Sequence, residues 1–168
     1  DGAELRMLSL VPSAQEIPDS SLSHMASVLV DRLGSRDSGF YATATHGIDD
    51  ARLHDALRAA ERDDVPVCML GTSFAFVHWL DRLDSRGDRF RLPPGSRLMD
   101  TGGYKGRSRE VDEHAMRATY EDRLGIPPSH CVNEYGMTEM CSQFYDSSLR
   151  TALRGRAGER RKLVPPWV

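Results

Sequence analysis

The stretch Asn133-Glu134-Tyr135-Gly136-Met137-Thr138-Glu139-Met140 sets an aromatic ring, a glycine, a hydroxyl and a carboxylate within five residues. Each suits a nucleotide, and a capped turn with Tyr135 in the core is the equal alternative. Tyr135 offers a flat face on which a base can stack. Gly136 allows a sharp turn or a close approach of backbone to ligand. Thr138 can donate a hydrogen bond to a phosphate oxygen, and Glu139 is a hard oxygen ligand of the kind Mg²⁺ takes. A second block, Thr101-Gly102-Gly103-Tyr104-Lys105-Gly106-Arg107-Ser108, lies upstream. Its spacings match neither a Walker loop nor a dinucleotide fingerprint. It reads either as an ordinary glycine-rich turn between strand and helix, or as a loop bringing backbone and a helix N-terminus to an anion.

Such residues need a scaffold, and the chain spells one out. Apolar runs closed by turn residues predict strands at 5–11, 40–45, 65–70 and 97–100. The segment Pro127-Pro128-Ser129-His130-Cys131-Val132 predicts a turn entering a short strand, so the Tyr135 block is expected where a strand gives way to a loop. Helices are predicted at 20–33, after a cap at Asp49 or Asp50, at 74–83 and at 108–124. Their expected inward faces carry Leu22, Met25, Ala26, Leu29 and Leu33, then Leu53, Ala56, Leu57 and Ala60, and last Val111, Ala115 and Ala118. The helix at 74–83 is apolar nearly all round and is expected to be buried. Strand and helix alternate throughout, which predicts an α/β fold with a mostly parallel sheet flanked by helices. In such sheets ligands bind outside the carboxyl ends of the strands. Residues 150–162 are polar and basic and are the expected mobile stretch.

Composition sets outer bounds. At 168 residues the chain can bury one good core, as a single α/β segment spanning 1–168. Its 39% hydrophobic and 28% charged content is that of a globular domain. A net charge of −3 gives no support for a nucleic-acid or membrane surface. No run reaches the roughly 18 apolar residues a membrane helix needs, no signal-peptide pattern opens the chain, and a cytoplasmic location is expected. Three scattered cysteines form neither a disulfide framework nor a zinc motif. The chain opens on Asp1 without an initiator methionine and closes on Val164-Pro165-Pro166-Trp167-Val168, which reads as an entering strand. A piece of a longer protein is expected.

Tyr135-Gly136-Met137-Thr138-Glu139 resembles the Y-G-x-T-E signature of the adenylate-forming superfamily of acyl- and aryl-CoA ligases and acyl-protein synthetases. The longer run from Tyr135 to Asp146, together with Leu98-Met99-Asp100-Thr101-Gly102-Gly103-Tyr104-Lys105-Gly106, is similar to LuxE-type acyl-protein synthetases (long-chain fatty-acid protein ligases) and their phenylacetate-CoA-ligase-like relatives. The resemblance implies ATP and Mg²⁺ as cofactors. Tyr135 would stack on adenine, Thr138 bond the α-phosphate and Glu139 hold the metal. Asn133 and Glu134 would set backbone groups at the adenine edge beside Gly136, while Gly102, Gly103 and Tyr104 would line the adenine and ribose. Many relatives carry G-G-E where Tyr104 stands here, a departure toward the acyl-protein-synthetase branch that leaves the role of Tyr104 open.

The implied reaction is a carboxylic, in this reading fatty, acid plus ATP giving acyl-adenylate, then acyl transfer to a thiol. The acceptor would be a protein cysteine or, in the alternative, coenzyme A. A non-enzymatic nucleotide-binding α/β module is the reading from another class. The Ser/Thr/Gly-rich phosphate loop upstream and the small C-terminal domain with its catalytic lysine are absent from this segment, so the chain alone is expected to be inactive.

Other reactive residues have plainer readings. His24 resembles a pocket-bordering position of the relatives but reads more simply as a half-exposed helix histidine. Cys141 reads as a small buried thiol rather than an acyl acceptor. Ser73 lacks a G-x-S-x-G elbow and reads as a helix N-cap. Phe74, Phe76, Trp79 and Leu80 read as core. The six histidines show no metal-ligand spacing.

Overall fold

A computed structural model of the chain describes residues 5–102, 112–137, 142–155 and 160–164. Strand β1 (Arg6–Ser9) is buried along its whole length. Helix α1 (Ser21–Leu33) follows, with the Ser20 hydroxyl accepting from the Ser23 amide as its cap. The β-rich stretch near residue 40 breaks into two-residue strands. These are β2 (Gly39–Phe40), beside β1, and an antiparallel pair of β3 (Ala42–Thr43) and β4 (Gly47–Ile48). Asp49 caps helix α2 (Asp50–Asp63), and its predicted stripe is buried at Leu53, Leu57 and Ala60. Strand β5 (Val67–Thr72) runs straight into helix α3 (Ser73–Arg86), capped by the Thr72 hydroxyl. Then come β6 (Arg97–Thr101), α4 (Glu113–Leu124) and a single 3₁₀ turn (Pro128–His130). The chain continues through β7 (Cys131–Met137), β8 (Ser142–Asp146), α5 (Ser148–Leu153) and β9 (Lys162–Leu163).

Among the described residues, seven strands form one sheet in the order β2-β1-β5-β6-β7-β8-β9. Pairing is parallel from β2 to β7 and antiparallel from β7 to β9. The fold is α/β, as the alternation predicts. One face carries the main core, where Leu8, Val67, Met69 and Leu98 meet α2, α3 and α4 through Leu57, Trp79, Phe76 and Tyr120. Gly71 belongs to this face because a Cβ there would lie 2.8 Å from the Phe76 ring. On the other face α1 packs Leu29 and Val30 over Met7, Cys68 and Leu70.

Several expectations change. On α1 the buried residues are Ser23 and Ala26, while Leu33 is 57% exposed, because the patch beneath the helix is small. On α4 Ala115 and Ala118 face solvent, and Met116, Arg117, Tyr120 and Leu124 turn inward. Large side chains at i and i+4 bury more apolar area than two alanines. Val111 lies outside the described residues. Ser73 is the first residue of α3, not its cap. Phe74 stays part-exposed, edge-on to His78 with ring centroids 4.3 Å apart. The loop expected at Asn133 is strand as far as Met137, because β8 pairs with it. Of the basic stretch 150–162, residues 150–153 lie in α5 and Lys162 opens β9, just after Arg161 exchanges hydrogen bonds with Ser147, while 156–159 lie outside the described residues.

Candidate functional site at the carboxyl edge of the sheet

Parallel pairing of β6 with β7 sets Asp100 beside Asn133 and Thr101 beside Glu134. It thereby joins two blocks about thirty residues apart in sequence. The Gly102 amide donates to the Glu134 carbonyl at 3.4 Å, and the Thr101 hydroxyl donates to the Glu134 carboxylate. Glu134 is 4% exposed. Gly102 has φ +81°, a conformation that favours glycine, and a Cβ there would meet none of the described residues within 4 Å. Its Cα side is thus uncovered among the described residues, while its amide and carbonyl are engaged within the protein. Beside it the first turn of α3 is tied down, since the Ser73 hydroxyl donates to the Gly102 carbonyl at 3.0 Å.

Tyr135 follows Glu134 on β7 and is 49% exposed, with the Phe144 ring of β8 tilted 6.5 Å away. The reading of Tyr135 as a core residue is excluded. Its ring stands at the sheet's carboxyl edge with a free surface, as stacking on a planar ligand requires. Gly136 pairs with Gln143. The backbone groups of Asn133 and Glu134 are not free, however. The Asn133 amide donates to Asp146 at 2.9 Å, its carbonyl takes the Lys162 ammonium at 2.7 Å, and the Glu134 carbonyl takes the Gly102 amide. Gly103, Tyr104, Thr138, Glu139 and Cys141 lie outside the described residues. Among the described residues no group of three or more His, Cys, Asp or Glu side chains gathers as a metal centre.

Directly beneath these ends runs a polar row that the sequence reading missed. Asp100, Asn133, Asp146 and Lys162 occupy neighbouring positions on β6, β7, β8 and β9. Tyr120 of α4 donates to Asp100 at 3.0 Å, and the Asn133 amide nitrogen donates to the other Asp100 oxygen at 2.7 Å. Lys162 donates to the Asn133 side-chain oxygen at 2.5 Å and stands 3.5 Å from Asp146. Asp146, whose side chain is 1% exposed, takes Arg117 at 2.5 Å and Arg160 at 3.0 Å. Arg117 also donates to the Cys131 and Pro128 carbonyls at 2.6 and 2.8 Å, which fixes the entry to β7.

The electrostatics follow from burial. Desolvation raises the Asp100 carboxyl above its ordinary value, against hydrogen bonds from Asn133 and Tyr120 and the charge of Arg117. Desolvation also lowers the Lys162 ammonium, opposed by Asp146, and it pushes the Cys131 thiol up to about 12, which leaves it inert. The sequence signal for the row is a polar residue closing an apolar strand, in Leu98-Met99-Asp100 and again in Phe144-Tyr145-Asp146.

The chain was compared with models of protein families and with curated proteins, and neither comparison found a match. Among the described residues no helix is long and apolar enough to cross a membrane.

Proposed function

We propose that this chain is the nucleotide-binding part of an adenylate-forming ligase, acting on a carboxylic acid, in the leading reading a fatty acid. The observation that carries this is the meeting of the Thr101-Gly102 and Glu134-Tyr135-Gly136 blocks on adjacent strand ends. An exposed ring near a glycine whose Cα side no described residue covers supports an adenine seat. In the parent reaction a carboxylate attacks the α-phosphorus of ATP. Two anions meet in that step, so catalysis rests on positioning and charge neutralisation. Thr138 and Glu139 are the proposed phosphate and Mg²⁺ ligands, and the acyl acceptor is a thiol, of a protein or of coenzyme A.

The test is AMP binding by the 168-residue chain, measured by calorimetry. Tyr135→Ala should weaken it by about 1–3 kcal/mol, the usual loss for one base–aromatic stack. The same substitution should change stability by less than about 0.5 kcal/mol, because the ring is half exposed. The nucleotide reading falls if the wild-type chain binds no AMP, or if Tyr135→Ala binds it equally well. ATP–pyrophosphate exchange is expected to be undetectable with this chain alone.

A further inference from the structure

We propose that Lys162, held by Asp146, is a positioning residue for the Tyr135 block, so that strand β9 belongs to the site's working parts. The inference rests in part on the nucleotide reading above, and its test separates the two.

Lys162 is one of only two lysines in the chain and stands in a stretch otherwise dominated by arginine. Its ammonium reaches across from β9 to both oxygens of Asn133, at 2.7 Å to the carbonyl and 2.5 Å to the side chain. β8 lies between these strands, so the lysine spans a neighbour to reach β7. Asp146 on β8 supports it from below. One carboxylate oxygen accepts from the Asn133 amide, Arg117 and Arg160. The other, buried oxygen has no hydrogen-bond partner among the described residues and faces the ammonium at 3.5 Å.

Asn133 is thus gripped at its amide, its carbonyl and both side-chain polar atoms. The next residues along the chain are Glu134 and the exposed Tyr135. Side chains alternate across a strand, so fixing the plane of residue 133 fixes the direction in which residue 135 projects. Among the described residues the Lys162 ammonium makes its hydrogen bonds and ion pair with Asn133 and Asp146 and none with Tyr135 or Gly102. Its effect on a ligand would pass through Asn133 and the Asp146 that holds it.

Lys162→Met removes the cation and keeps most of the aliphatic stem, and the side chain is 36% exposed, so the fold should survive. Lys162→Arg retains a cation able to donate to both Asn133 oxygens. In the 168-residue chain, Lys162→Met should raise hydrogen exchange at the amides of residues 133–136 and lower AMP affinity on the order of tenfold. Lys162→Arg should restore both, and amides of Leu57 and Leu80 in the main core should exchange as in the wild type.

Unchanged exchange at 133–136 would overturn the proposal, as would an increase shared equally by Leu57 and Leu80. So would local loosening with undiminished AMP affinity, which would mark a merely structural contact. If the wild type binds no AMP while Lys162→Met loosens 133–136 alone, the nucleotide reading falls and the positioning of the block by Lys162 stands.

Discussion

Asn133 shows how little of a residue's role its type declares. The resemblance assigns its backbone to the adenine edge, yet its amide and carbonyl are engaged within the protein. Its neighbour Asp100 carries a measurable consequence. Burial raises the folded-state pKa of that carboxyl above its ordinary 3.8. A group raised on folding contributes stability that is full below the unfolded pKa and lost as pH climbs through the folded one. Asp100→Asn removes this dependence. The stability of the variant relative to wild type should therefore be lowest near about pH 4 and rise toward about pH 7. Urea denaturation at both pH values measures it, and a gap that does not change with pH would refute the assignment. Tyr135 was legible from the sequence in type but not in setting, since its exposure and its place inside a paired strand depend on β8, which no local pattern announces.

Among the elements, those whose burial follows one dominant period were readable. α2 buries the leucines its 3.6-residue stripe names, and β5 is the apolar run it looks to be. α4 was not readable, because its inward face includes Arg117. Its i,i+4 partner Glu113 is half exposed, and the buried anion that makes the burial of that cation tolerable is Asp146, 29 residues away, which no local pattern reports. β8 and β9 were missed for a related reason. β9 has only two residues and β8 mixes polar with aromatic residues, so neither carries a clear apolar alternation; they pair through β7 and through each other. At β5 the glycine has a testable role. Gly71→Ala should cost roughly 1–3 kcal/mol, the usual range for overpacking, because the added methyl meets Phe76 at 2.8 Å and Leu10 at 3.2 Å. Thermal denaturation would show it, and a neutral outcome would mean that the Phe76 ring shifts freely.

Across the whole molecule, the polar row draws together residues far apart in the chain. Asn133 reaches back 33 residues to Asp100, and Lys162 reaches back 29 to Asn133. Contacts that close such loops are disfavoured until the intervening strands have paired. The row therefore belongs to the last stage of folding, and the energy it contributes is spent on holding the native state rather than on reaching it. Asp146→Asn leaves Arg117 without its buried anion and should cost about 3–5 kcal/mol. That loss should appear in the unfolding limb of a chevron plot, with the refolding rate nearly unchanged. A refolding rate that falls in proportion would place the row in the nucleus instead. During synthesis the same order holds. The Tyr135 block leaves the ribosome well before Lys162 does, so its final geometry waits on residues made later.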